Sequence, residues 1–286
     1  MLAVPGVVWL VLLFLVPFYG ILSVAFGNRH PLFLTPEPEW NPLRWNPEAF
    51  QGVLTDIFGG RLGVIALRTI TYVVIASLLC VAIGYPVAYF VSRRAGRWRG
   101  VLLLLILGPF WINYLMRMMS WVNLLSPDGQ VNRILGWFSV APVDWLAGRP
   151  STVVLGMVYG YIPFFVLPLY AALDRIDTST LEASRDLGAS PLATFWRVTL
   201  PLSKQGIMAG LVIIMLPMFG DYYTPNLLSG SPRTRLYGNE IESFISQSTS
   251  QGGRGAALTV ILMLFVAILM GYYLVMVSRA AREARR

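Results

Sequence analysis

Six apolar stretches constrain this chain more than any other feature of it. They run over about 2–26, 62–91, 100–125, 151–173, 205–229 and 255–277. Crossing the hydrocarbon of a bilayer takes about 20 residues of helix. A helix satisfies its backbone N–H and C=O groups within itself, which lipid cannot do for it. The chain is therefore predicted to be an all-α, polytopic membrane protein with six transmembrane helices. Composition points the same way. Only 13% of the 286 residues are charged and 56% are hydrophobic, whereas about a quarter of a soluble domain is charged. The first stretch contains a small-residue site, Ser23-Val24-Ala25, like that of a signal peptide. Its length and the lack of preceding basic residues make it a retained span instead.

The net charge is +8, but the basic residues sit in short clusters between spans. Such clusters set topology and meet lipid headgroups, and no nucleic-acid surface is expected. Residues 92–100 hold four Arg, residues 174–204 hold Arg175, Arg185, Arg197 and Lys204, and the tail holds Arg279, Arg282, Arg285 and Arg286. With six spans these segments share one side. The other side spreads eight basic residues over 27–61, 126–150 and 230–254. The positive-inside rule then makes both termini and 174–204 cytoplasmic. Within 126–150, Val131, Ile134, Leu135 and Phe138 have helical spacing and predict a short interfacial helix. The 27–61 segment is rich in Pro and Trp, and its aromatics are expected to order it without a clear element.

The inventory removes most catalytic chemistry. One histidine, His30, excludes HExxH and multi-histidine metal sites. One cysteine, Cys80, excludes an intrachain disulfide and cysteine-rich zinc sites. The only lysine, Lys204, follows Ser203 and belongs to no phosphate-binding loop, and no Gly-x-Ser-x-Gly elbow occurs. No cofactor, metal or enzymatic activity is expected in this chain.

One polar element stands out between spans four and five, LEASRDLGASPLATFWRVTLP at 181–201. Ser179 with Glu182 has the spacing of a capping box. Gly188 suits the left-handed position that ends a helix. Ser190 then caps a second helix with Pro191 in its first turn, and Leu200-Pro201 is expected to close it. Two uses fit a helix–turn–helix here: a solvated connector, or a knob on which a soluble partner docks and moves the spans.

The residues Glu182-Ala183-Ser184, Gly188 three positions on, and Val198-Thr199-Leu200-Pro201 after nine more resemble the EAA signature of ABC-importer permeases. Ser184 stands where the signature has Ala, and Val198 where it has Ile. GPFWINYLMRMMSW (108–121), YIPFFVLPLYAALDRID (161–177) and FGDYYTPNLLSG (219–230) are similar to segments of spermidine/putrescine-type permeases. The likeness covers most of 62–277. It implies a type I ABC importer permease fold and a division into 1–61 (first span and external loop), a permease core over 62–277 containing the 179–201 coupling element, and a basic tail over 278–286. It also implies partners. These are a second homologous permease, a different chain by resemblance although the sequence leaves a homodimer open, two copies of an ATPase carrying ATP and Mg, and an external substrate-binding protein. Glu182, Ala183, Ser184, Gly188, Leu200 and Pro201 would then couple to the ATPase, in a bacterial cytoplasmic membrane.

Two ionisable residues lie deep in apolar runs, Arg117 and Asp221. Counting about 1.5 Å per residue puts each roughly 25 Å from the cytoplasmic end of its span. A charge at membrane depth is costly and needs a partner or a cavity. One arrangement pairs Arg117 with Asp221. In the other, Asp221 with Tyr222 and Tyr223 faces a translocation path, where carboxylate and rings suit an amine cation. Trp111 and Asn113 either line that path or pack. An anionic cargo would instead be selected by Arg117.

Overall fold

The structure, a computed structural model, describes residues 4–32, 35–246 and 251–283, with side chains up to residue 278. The basic tail side chains therefore lie outside the described residues. Contacts cluster into two compact units. One comprises Met1–Thr69, Phe219–Tyr222 and Arg235–Leu269, and the other Ile70–Met218, Tyr223–Thr234 and Met270–Arg286.

Helix α1 spans Val4–Ala25 and carries a π turn at Val11–Leu15. Its first half exposes Trp9, Leu12, Leu13 and Phe14, a surface suited to lipid. The following loop has more structure than its Pro- and Trp-rich sequence predicts. Strands β1 (Asn28–Arg29) and β2 (Pro36–Glu37) pair antiparallel, and helix α2 covers Glu48–Gly59. Aromatics order this region as expected. Phe26 stacks on Trp45 with centroids 4.9 Å apart and on Phe50 at 5.2 Å. The indole of Trp45 donates to the Glu39 carbonyl at 2.9 Å.

Helix α3 runs from Arg61 to Arg93 with Pro86 inside it. Span three is not one rod. Helix α4 (Arg99–Leu107) leads into a 3-10 turn at Gly108–Trp111, and helix α5 (Tyr114–Leu125) follows. The segments Gly96–Trp111 and Tyr114–Trp137, which contain these helices, meet at 92°. Pro109 supplies no N–H to continue α4, and Asn113 starts α5 by accepting from the Leu115 N–H at 2.9 Å. Five helices are therefore long and apolar enough to cross a membrane, or six if the bent pair counts as one span, among the described residues.

The expected short helix is α6, Gln130–Trp137, which leaves Trp137 83% exposed. Asn132 fixes it. Its amide donates to the carbonyls of Ser126, Pro127 and Val143, and its oxygen accepts from Val143 N and Trp145 Nε1. Helix α7 (Pro150–Asp174) is the most buried span. Helix α8 covers Thr178–Asp186, α9 Pro191–Phe219, α10 Tyr223–Leu228, α11 Tyr237–Ser246 and α12 Gly252–Glu283. In the first unit, Ala25, Val53, Leu62, Tyr237, Ala257 and Leu258 form a core.

Candidate functional site

The polar element between α7 and α9 is a helical hairpin. Helix α8 begins two residues earlier than its capping signals predict. Asp177 is its N-cap and makes no side-chain cap bond. Ser179 thus lies inside the first turn, so the expected Ser179–Glu182 capping box does not form. Glu182 and Ala183 are exposed. The helix ends as predicted. Gly188 has φ +83°, its N–H reaches the Arg185 carbonyl at 2.8 Å, and Ala189 N–H reaches Ser184 at 3.1 Å. These two bonds satisfy carbonyls that the helix end leaves open. Ser190 accepts from the Ala193 N–H at 3.2 Å and starts the second limb. Ser184 Oγ lies 3.0 Å from Thr194 Oγ1 and ties the limbs together.

Leu200-Pro201 does not close the second helix. Helix α9 continues through it into span five. A π turn at Phe195–Thr199 precedes Pro201, and Leu200 N–H bonds the Phe195 carbonyl. That wider turn accommodates the missing N–H and the bulk of the proline ring. At the hairpin, Leu187 is 90% exposed, and Leu192 and Trp196 are also exposed. They form an apolar tip beside the polar residues Glu182, Arg185 and Asp186.

The second unit holds Trp111, Asn113, Arg117 and Tyr223. Trp111 is exposed, and Asn113 is the N-cap of α5. Arg117 is buried. Its guanidinium carbon lies 4.0 Å from the centroid of Phe110, 5.4 Å from Tyr114 and 5.9 Å from Tyr159. These rings come from both sides of the bend and from α7, so the cation pins the two halves of span three. A desolvated cation–π contact is worth about 2 kcal/mol. Nε and Nη1 of Arg117 are buried without a hydrogen-bond acceptor among the described residues. Because the span is bent, residue counting along a straight rod does not give the depth of Arg117.

Asp221 and Tyr222 belong to the other unit, where Asp221 is buried. They occupy the break between α9 and α10. The start of α11 clamps this break. A Cβ on Gly238 would lie 2.5 Å from the Gly220 carbonyl oxygen, so only glycine permits the approach. Asn239 Nδ2 donates to the Tyr222 carbonyl at 2.9 Å, and its oxygen accepts from Leu236 N at 2.8 Å. Thr69 Oγ1 accepts from Tyr237 N at 2.9 Å. Glu240, buried, receives Arg61 Nη2 at 2.7 Å and has Arg235 Nη1 at 3.8 Å. Burial raises the Tyr237 phenol above its ordinary range, which keeps it a neutral donor. Sequence reasoning missed Gly238, Asn239 and Glu240. Arg61 and Glu240 are 179 residues apart, and no local pattern joins them.

The family of binding-protein-dependent transport system inner membrane components matches residues 1–282. The chain belongs to that family. It is 33% identical over 277 residues to the spermidine/putrescine transport system permease protein PotB of Escherichia coli (strain K12), covering 96% of this chain and 94% of that protein. PotB of Haemophilus influenzae is 32% identical over 265 residues, covering 91% and 88%. Among solved structures, a bacterial alginate ABC transporter in complex with alginate pentasaccharide-bound periplasmic protein matches with a TM-score of 0.74 and 17% identity. The match covers 95% of this chain and 91% of that one. The fold is thus the type I fold of ABC transporter permeases, in a multi-pass inner-membrane component. Permease subunits of this family are not themselves enzymes, and the ATPase is a separate subunit.

Proposed function

We propose that this chain is the permease of an ATP-driven importer of polyamines, moving spermidine- or putrescine-type cations by alternating access. The observation that carries the cargo is the acidic break in span five, where the buried carboxylate of Asp221 is followed by Tyr222 and Tyr223. A carboxylate beside aromatic rings attracts an amine by charge and by cation–π contact. The relatives named for spermidine/putrescine transport support the same cargo.

In this reading the hairpin is cytoplasmic and docks on the ATPase, two copies of which bind ATP and Mg. Glu182, Ala183, Ser184 and Gly188 form the docking turn, and Leu200 and Pro201 join it to span five. A second homologous permease completes the path, and an external binding protein delivers the cargo. Trp111, Asn113 and Arg117 shape the bend of span three. A second reading has one specific observation in its favour. Arg117 Nε and Nη1, without an acceptor among the described residues, suit an anionic cargo.

ATP-dependent uptake by the reconstituted complex distinguishes them. Labelled putrescine should accumulate, and a labelled dicarboxylate of similar length should not. Uptake of the dicarboxylate alone would transfer selection to Arg117. Uptake of neither by an assembled complex would remove both cargo readings and leave a permease for another small solute or a docking scaffold.

A further inference from the structure

The C-terminal third of α3 carries three side chains at four-residue spacing, Tyr85, Tyr89 and Arg93. Four-residue steps keep them along one side of the helix. The tyrosines touch the limb that leaves the hairpin, and Arg93 holds the segment that leads into it. Arg93 Nη2 donates to the carbonyls of Leu173 and Ile176, the latter at 2.8 Å. Those carbonyls lie in the last turn of α7 and just beyond it, where the helix dipole favours a cation. Helix α8 begins two residues beyond Ile176. On the other limb, Tyr85 Oη lies 2.9 Å from Ser203 Oγ. The rings of Tyr85 and Tyr89 meet Phe195 edge-on, with centroids 5.5 Å and 6.1 Å apart. Tyr85, Thr199 and Ser203 are buried, as is Thr194 in the hairpin itself.

Two further features make this grip mechanical. Pro86 lies within the stripe, and an interior proline removes a helix hydrogen bond and makes a bending point. An open apolar groove of about 440 Å³ adjoins it, lined by Pro86, Phe90, Leu102, Leu105 and Ile106 among others. It offers α3 and α4 room to close on each other when α3 bends.

We infer that Tyr85, Tyr89 and Arg93 are positioning residues that transmit movement of the hairpin to span two, with Pro86 as the point of flexure. This rests on the reading of the hairpin as the ATPase-docking element. Arg93 holds the limb that enters the hairpin, and the two tyrosines hold the limb that leaves it. A hairpin displaced as a unit therefore carries the end of α3 with it. Span two thus responds to ATP through side chains that never touch nucleotide or cargo.

The test is the amount of cargo moved per ATP hydrolysed by the reconstituted transporter. Arg93→Gln should lower that ratio about tenfold while the ATPase still co-purifies and the KM for cargo holds. Arg93→Lys, which keeps a cation for the two carbonyls, should restore most of it. A ratio within about twofold of the wild type for Arg93→Gln would overturn the inference. Should that variant fail to assemble, Tyr85→Phe decides, because it keeps the ring on Phe195 and deletes only the bond to Ser203. It should lower the ratio about threefold, and an unchanged ratio would overturn the inference. Gly188→Asp separates this failure from failure of the docking reading. It places a side chain at φ +83° and a charge at the turn, and should uncouple the ATPase. Full coupling in Gly188→Asp would remove the docking reading itself. Uncoupling there, with an unchanged ratio in Arg93→Gln, would remove only the role of the stripe.

Discussion

Spans three and five both break near an ionisable residue, and the two breaks are held by opposite means. At span three the charge itself holds the bend, with Arg117 against Phe110, Tyr114 and Tyr159. At span five the grip falls on the backbone beside Asp221. Gly238 and Asn239 grip Gly220 and Tyr222, while a separate carboxylate, Glu240, anchors the gripping helix through Arg61 and Arg235. The difference teaches that a charge in an apolar run has no single meaning. Where rings wrap it, the charge is an element of packing. Where neighbouring groups fix the backbone, as Gly238 and Asn239 do here, the break keeps its shape through contacts that other residues supply.

The comparison breaks most visibly at the two charges. Asp221→Asn should reduce labelled putrescine uptake at least about tenfold, with assembly unchanged, because Gly238 and Asn239 still hold the backbone of the break. Gly238→Ala should act on the same break indirectly. The added Cβ would meet the Gly220 carbonyl and push α11 away. Uptake is expected to fall about fivefold, with a lower melting temperature. Arg117→Met should have the smallest effect on uptake per folded transporter. It removes the cation–π contacts and should cost about 2 kcal/mol of stability, read as a shift in thermal unfolding. A loss of uptake in Arg117→Met as large as that in Asp221→Asn would erase the distinction between the breaks.

The spans were legible because lipid demands length and apolarity, and Gly188 was legible because few residues tolerate its conformation. The bend of span three was not, since the apolar run continues through Pro109 and hydropathy carries no angle. Likewise Pro201 looked like a stop, but a π turn lets α9 absorb it. Helix α2 was hidden by the Pro- and Trp-rich sequence before it. The Tyr85–Tyr89–Arg93 stripe sits in a run read only for its hydrophobicity. The Arg61–Glu240 contact depends on tertiary proximity, which a local pattern does not encode.

The proposed polyamine path requires that the break in span five face the cargo and the bend in span three not. Cys80 is the only cysteine, so a Cys80→Ala background carries no thiol. In the assembled transporter, Tyr222→Cys on that background should react with a positively charged, water-soluble thiol reagent, and putrescine with the binding protein should slow the reaction. Phe110→Cys should react slowly, with no effect of putrescine. Protection at position 110 with none at 222 would contradict the account.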